Sequence, residues 1–118
     1  MSELEVWELR YFQTSGGSVP FREWRESLAD RRAGSAVRAR LERLRYGLFG
    51  DCKPVGEGVS EFRIDIGPGY RGYFCRAGRE VILLLCGGEK ATQAADIERA
   101  KEYRRDHEKR SRATVGPR

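Results

Sequence analysis

The chain has 118 residues, of which 39% are hydrophobic and 35% charged, with a net charge of +5. This length predicts one domain around a single core. No apolar run approaches the roughly 20 residues that cross a bilayer, and the acidic N-terminus lacks the basic and apolar regions of a signal peptide. We therefore expect a cytoplasmic protein whose excess positive charge suits a polyanionic partner.

The candidate soft metal ligands are few. They are Cys52, Cys75, Cys86 and His107. They contain no CxxC pair and no Cys/His spacing typical of a zinc site. The sequence therefore predicts no metal and no cofactor, and it predicts reduced, partly buried thiols.

The N-terminal half predicts one strand followed by two helices. Residues 4–12 are rich in aromatic and β-branched side chains, as in a strand. Ser18 and Pro20 then open a first helix, and Asp30 predicts the N-cap of a second one. The apolar side chains at helical spacing are Phe21, Trp24 and Leu28 in the first helix, and Ala33, Ala36, Val37, Leu41 and Leu44 in the second. The short connection between these helices favours a helical hairpin.

The second predicted helix also carries a basic stripe. Arg31, Arg38 and Arg45 recur every seven residues, which places them along one side of the helix. This side either docks a partner by charge, such as a partner protein or ribosomal RNA, or is an ordinary solvated helix face.

The C-terminal half predicts a sheet and a last helix. Residues 60–66, 70–76 and 80–86 read as three strands joined by a Gly-Pro-Gly turn and by a tight turn at Ala77 and Gly78, which favours an antiparallel meander. Thr92 is then expected to cap a helix that ends near Arg105. The predicted domain comprises residues 1–106, and the polar, charged segment 107–118 is expected to be a disordered tail.

Together these elements predict an α+β fold in the order β-α-α-β-β-β-α. In this fold the helical hairpin packs on one face of a small antiparallel sheet.

Two stretches of the sequence resemble a known family. They read LERLRYGLFGDCKPVGEGVSEFRIDIGPGYRGYF and LLLCGGEKATQAADIERAKEY. The ordered motifs K-P-V-G-x-G, E-x-R-I, Y-R-x-Y-F and G-G-x-K-x-T-Q-x-x-D-I are similar to those of the RelE/ParE superfamily, in particular its HigB-like, phage-derived addiction module killer proteins. The resemblance implies a RelE-like fold and a toxin of a type II toxin-antitoxin system. Such a toxin cleaves mRNA, usually on the ribosome, and is held inactive by a cognate antitoxin, here expected to be a helix-turn-helix protein.

RNA cleavage by a 2′-hydroxyl needs a general base, a general acid and cations around the phosphorane, but no metal. By the resemblance, Lys53 would be the general acid or base, and Arg63 and Arg71 would hold the phosphate through their planar forks. Alternatively, both arginines are solvated strand residues that pair with Glu61 or Asp65.

Two further candidates complete the predicted site. Lys90 follows Gly87 and Gly88, and glycines there would let the backbone approach a ligand closely; otherwise Lys90 is a solvated loop lysine. Tyr73 would stack on a base or donate a proton, or it packs inside the sheet.

Two other functions stay open at this level, because one fold can serve several activities. They are ParE-like inhibition of DNA gyrase without catalysis, and a nuclease-dead binding module. A cluster of Lys53, Arg63, Arg71 and Lys90 around one pocket would favour the nuclease.

Overall fold

The computed structural model describes residues 6–114, which form one five-stranded mixed sheet with helices on both faces. The elements in chain order are β1 (Glu8–Tyr11), α1 (Pro20–Ser27), α2 (Arg31–Arg45), β2 (Lys53–Gly56), β3 (Val59–Ile64), β4 (Tyr70–Arg76), β5 (Val81–Glu89) and α3 (Gln93–Thr114). A single 3₁₀ turn, Lys90–Thr92, leads into α3. Across the sheet the strands lie in the order β1-β5-β4-β3-β2. Within residues 6–114, no helix combines the length and apolar character that a bilayer-spanning segment needs.

The first two helices begin where their local sequence predicts. Pro20 occupies the first turn of α1, where its missing N–H is not needed. The Glu23 carboxylate accepts a hydrogen bond of 2.8 Å from the Val19 N–H and so satisfies one free donor at the helix start. Asp30 caps α2 by accepting a bond of 2.8 Å from the backbone N–H of Arg32, which confirms its predicted role.

These two helices cover one face of the sheet. Their apolar side chains meet alternate residues of β3, β4 and β5 in one core. Its buried members are Phe21, Val37, Leu41, Leu44, Phe62, Ile64, Phe74, Ile82 and Leu84. The apolar stripe predicted for α2 is therefore confirmed.

The opposite face of the sheet packs against α3. Ala100 is buried there, and Ile97 and Tyr103 pack beside it. The Tyr103 ring stacks on Phe12 at a centroid distance of 4.9 Å, which ties α3 to the chain just after β1. The strand residues of this second core are Val59, Tyr73, Cys75, Leu83, Leu85 and Cys86.

The predicted fold is wrong in its element order and in its type of sheet. The structure is a sheet-dominant α+β fold with a strand, β2, that the prediction left out, and β1 pairs with β5 in parallel. The sequence of β2, KPVG, reads as a loop because proline lacks a donor and glycine disfavours strands. As an edge strand, however, it needs to pair on one side only. The direction of β1 relative to β5 depends on the chain path, which local periodicity does not record.

The last helix is longer than predicted. It continues to Thr114 instead of ending near Arg105, so the predicted tail begins inside a helix. Ion pairs one turn apart, Arg104 with Glu108 and Asp106 with Arg110, support this extension. Residues 115–118 of the predicted tail and residues 1–5 lie outside the described part of the chain.

Candidate functional site

The strand register places four of the predicted site residues on the face of the sheet that α3 covers. Lys53 on β2, Glu61 on β3 and Tyr73 on β4 lie opposite one another in one row across three strands. Arg63 and Arg71 lie opposite each other in the next row. Residues directly opposite on adjacent strands share a face, so both rows point the same way.

A buried carboxylate lies at the centre of this group. The Glu61 side chain has no exposed surface. Its Oε1 accepts a hydrogen bond of 2.9 Å from Arg63 Nε, and its Oε2 accepts one of 2.8 Å from Gln93 Nε2. Burial raises the pKa of Glu61, but the donors of Arg63 and Gln93 outweigh that effect and hold the pKa below its ordinary value. Glu61 is therefore ionised at neutral pH.

The two arginines differ in how much of each reaches solvent. The Arg63 side chain is 41% exposed, whereas only 5% of the Arg71 side chain is exposed. Arg71 Nε lies 4.0 Å from Glu61 Oε1 and makes no hydrogen bond with the described residues. The pairing with Glu61 that the alternative interpretation predicted is thus present for Arg63 and marginal for Arg71. The prediction that Arg71 is solvated is wrong, because β4 lies inside the sheet and beneath α3.

Lys90 reaches the same site from the end of β5. Its backbone N–H donates a bond of 2.9 Å to the carbonyl of Gly69 in the Gly-Pro-Gly turn. A Cβ at Gly69 would lie 3.5 Å from Lys90 Cβ and 3.9 Å from Arg71 Nη1. Lys90 and Arg71 therefore converge on Gly69, whose φ of +82° also requires glycine.

The glycines before Lys90 have a structural role that the sequence interpretation did not include. A Cβ at Gly87 would lie 2.1 Å from the Trp24 ring on one face, and a Cβ at Gly88 would lie 1.9 Å from Asp96 Oδ2 on the other. Because these two glycines have no side chain, Trp24 of α1 and Asp96 of α3 can pack closely against β5. A groove of about 670 Å³ runs past them, between the C-terminus of α1 and the first turns of α3.

Lys53 lies on the edge strand β2, and its side chain is exposed. The turn after β2 is held to α3 by an ion pair of 2.6 Å between Glu57 Oε1 and Arg105 Nη1. Glu57 has a φ of +51°, a conformation in which most residues are strained. This exposed contact links the turn after β2 to α3.

Tyr73 is fully buried in the row between Glu61 and β5. Its hydroxyl has no hydrogen-bond partner among the described residues. Burial and the negative charge of Glu61 raise the pKa of Tyr73 well above its ordinary value, so it stays neutral. In this conformation the ring cannot stack on a base that approaches from solvent.

The basic stripe of α2 lies elsewhere. Arg31, Arg38 and Arg45 are all exposed, as expected for either interpretation of the stripe. Because α2 packs on the face opposite α3, the stripe and the group around Glu61 lie on different sides of the sheet.

The sequence interpretation missed the central roles of Glu61 and Gln93. The strand alternation already placed Glu61 on the same side as Arg63, which was the available signal. Nothing local indicates that Gln93, in the first turn of α3, lies over β3. That contact depends on how the last helix returns across the sheet.

The site contains no obvious metal centre. In the part of the chain that the structure describes, there is no group of three or more His, Cys, Asp or Glu side chains that could hold a metal ion. Apart from the Glu61 carboxylate, the charged groups here are of the kinds that bind an anion: two guanidinium groups, two ammonium groups and the N-terminal end of a helix.

Comparison with known proteins gives a relative but no assigned activity. No protein-family model matches the chain. Over 84 residues the chain is 44% identical to a Haemophilus influenzae protein described as an uncharacterized protein, and the alignment covers 71% of this chain and 85% of that protein. The chain therefore belongs to the same family as this Haemophilus influenzae protein.

Proposed function

We propose that the chain is a metal-independent mRNA endoribonuclease and the toxin of a type II toxin-antitoxin system, as its resemblance to HigB-like proteins of the RelE/ParE superfamily implies. The observation that carries the proposal is the convergence of Arg63, Arg71 and Lys90 beside the start of α3, with Lys53 in the adjacent row. These four cations outnumber the one buried carboxylate, Glu61, which leaves a local excess of positive charge for a phosphate.

The proposed reaction needs only groups of the protein and the RNA. The 2′-oxygen attacks the adjacent phosphorus, the bond from phosphorus to O5′ breaks, and the products are a 2′,3′-cyclic phosphate and a 5′-hydroxyl. A base removes the proton of the 2′-hydroxyl, and an acid protonates O5′. Lys53, which is exposed, serves as one of these two groups.

The arginines supply charge for the transition state. Arg63 is anchored through Nε, so its two terminal Nη groups form a fork that suits two phosphate oxygens. Lys90, which lies beside Gly69 near Arg71, adds a point charge. Negative charge increases on these oxygens as the phosphorane forms, so fixed cations lower the barrier.

We also propose where the toxin acts and which molecules it binds. The toxin acts in the cytoplasm on mRNA bound to ribosomes, and a helix-turn-helix antitoxin holds it inactive. The net charge of +5 favours association with both ribosomal RNA and an acidic protein surface.

Cleavage of defined RNA tests the proposal. Purified protein is incubated with mRNA on ribosomes in the Mg²⁺ that ribosomes require, and separately with free mRNA in excess EDTA, and the ends of the products are identified by mass. On ribosomes we expect cyclic phosphate ends and no cleavage at a site that carries a 2′-deoxy sugar. Cleavage of free mRNA in EDTA would show directly that the reaction needs no metal.

A variant pair then assigns the site. Lys53→Ala should slow cleavage by ~10²-fold or more, the usual effect of losing a positioned acid or base. Arg79→Ala, which removes an exposed cation at the opposite end of β4 from the Gly-Pro-Gly turn, serves as the control and should cleave normally. Growth arrest with intact mRNA and inhibited gyrase supercoiling would instead identify a gyrase inhibitor. Neither cleavage nor growth arrest would indicate a binding module.

A further inference from the structure

Glu61 is one of two buried acidic residues in the described chain, and the other is Asp96. Asp96 belongs to the first turn of α3, where it pairs with Thr92 and Arg99. Glu61 has no such role in helix formation. Removal of a carboxylate from water is unfavourable, and even a well-paired one adds little net stability. The presence of Glu61 in this row of the sheet therefore needs an explanation other than stability.

Simple charge complementarity does not supply that reason. A site that attracts phosphate would gain positive potential if Glu61 were neutral, because its charge lies against Arg63 and Arg71. The carboxylate lowers the general attraction of the site for anions. Any benefit must come from geometry.

The geometry shows what Glu61 holds. Its Oε1 accepts a hydrogen bond from Arg63 Nε, which restrains the guanidinium, while 41% of the Arg63 side chain is exposed. Its second oxygen is held by Gln93, so the carboxylate is tied to β3 and to the start of α3 at once. A guanidinium that is fixed before the substrate arrives loses less side-chain entropy when it binds a phosphate.

We propose that Glu61 is a positioning residue that orients the Arg63 guanidinium toward the scissile phosphate, with Gln93 locking the carboxylate in place. This inference rests on the proposed function, since it names how the same site is aligned. It gives Glu61 no proton-transfer role, because the buried carboxylate has no exposed surface from which to reach the RNA.

The test compares two variants that each remove one negative charge, one within β3 and one just after its end. Glu61→Gln and Asp65→Asn each remove one negative charge, and Asp65 is exposed. For Glu61→Gln we expect kcat to fall by about 10- to 100-fold, as for a misaligned catalytic group, while KM stays the same or falls. Asp65→Asn should leave kcat unchanged. If charge alone mattered, both variants would bind RNA more tightly and neither would lose kcat, which would overturn the proposal.

A double-mutant cycle separates positioning from general structural damage. In an Arg63→Ala background, Glu61→Gln should change kcat by less than about threefold, because the group that Glu61 orients is gone. Equal losses in both backgrounds would overturn the proposal. If Glu61→Gln does not fold, Gln93→Ala decides the question: we expect a smaller loss of kcat at unchanged net charge, and an unchanged kcat would overturn the proposal.

The same cycle distinguishes failure of this inference from failure of the proposed function. If the wild-type protein cleaves no RNA, the cycle is measured on affinity for a fluorescein-labelled RNA. An effect of Glu61→Gln that disappears without Arg63 would retain the positioning role and remove only the nuclease. Equal effects in the two backgrounds, or no RNA binding by the wild-type protein, would overturn the positioning role as well.

Discussion

Two arginines that look equivalent in the sequence differ sharply in the folded protein. Arg63 lies on β3, next to the edge strand, and keeps much of its side chain in solvent. Arg71 lies on β4, between β3 and β5, and is buried. Under the proposed function, a phosphate would therefore contact the terminal groups of Arg63 directly, whereas Arg71 would contribute charge from beneath the surface.

The burial of Arg71 changes what its removal should do. Arg71→Ala would leave a gap beside Glu61 and remove a nearby opposite charge, so we expect it to destabilise the fold by about 1–3 kcal/mol. Urea unfolding followed by circular dichroism measures this loss. Arg79→Ala, which alters an exposed turn residue, should stay within about 0.5 kcal/mol of wild type. Equal stability of the two variants would show that the buried arginine is dispensable for folding, and Arg71→Ala would then be a clean test of catalysis.

Removal of the Tyr73 hydroxyl should affect neither folding nor cleavage strongly. Among the described residues no hydrogen bond of ordinary geometry reaches this buried hydroxyl, although the hydroxyl helps to lower the pKa of Glu61, so Tyr73→Phe should change the free energy of unfolding by less than about 1 kcal/mol. Because the ring is inaccessible, we also expect the cleavage rate to fall far less than the ~10²-fold that loss of a general acid causes. A single-turnover assay measures the rate. A loss of that size in a normally folded variant would return Tyr73 to the catalytic group.

At the scale of elements, the parts predicted correctly are those with strong local signals. Strand β4 begins at Tyr70 and ends at Arg76, as the alternation and flanking glycines indicated. Asp30 caps α2 because a short acidic side chain just before a helix can accept a hydrogen bond from a free backbone N–H of the first turn. These features depend on neighbours within a few residues.

The elements that were missed depend on distant partners. Strand β2 is short and begins Lys53-Pro54, so only its pairing with β3 makes it a strand. The end of α3 is held by contacts with the start of the chain: Arg110 lies over the Phe12 ring and donates to the Gln13 carbonyl. A charged segment with no apolar stripe gives no sign of such contacts, which is why the tail was expected to be disordered.

The position of α2 allows binding and cleavage to be separated. Its basic stripe lies on the face of the sheet opposite the candidate site. We expect Arg38→Glu with Arg45→Glu to weaken binding of the cognate antitoxin, because two reversed charges repel an acidic surface, and to leave cleavage of RNA intact. Co-purification with the antitoxin and cleavage on ribosomes measure the two effects.

A charge-matched control completes that experiment. Arg22→Glu with Lys109→Glu reverses two exposed cations outside the stripe and should change neither result. If the stripe variant loses cleavage on ribosomes but still binds the antitoxin, the stripe docks on ribosomal RNA. If it behaves as wild type in both assays, the stripe is a solvated helix face.

At the scale of the whole molecule, the two faces of the sheet carry different chemistry. The face under α1 and α2 is a continuous apolar core. The face under α3 is divided: ionic groups around Glu61 lie near the start of the helix, and an apolar core with Cys75 and Cys86 lies along the rest of it. The α3 side therefore contains the groups that respond most to pH.

The two buried thiols should make the folded protein less stable at alkaline pH. Burial raises the pKa of Cys75 from its ordinary 9.0 to about 11 and that of Cys86 to about 12. Above pH 9 the unfolded chain therefore loses thiol protons that the folded protein keeps, so the unfolded state binds fewer protons and is favoured as the pH rises. The stabilisation from this source is complete below pH 9 and decreases steadily between about pH 9 and 12.

We therefore expect the free energy of unfolding to fall between pH 8 and pH 10.5, and to fall less steeply in the variant Cys75→Ala with Cys86→Ala. Urea unfolding at a series of pH values measures both slopes. The comparison uses slopes because alanine at two buried positions lowers stability at every pH, whereas only the thiols add this pH dependence. Identical slopes would mean that the thiols ionise as readily in the folded protein as in the unfolded chain, and that the α3 side of the sheet admits water to both of them.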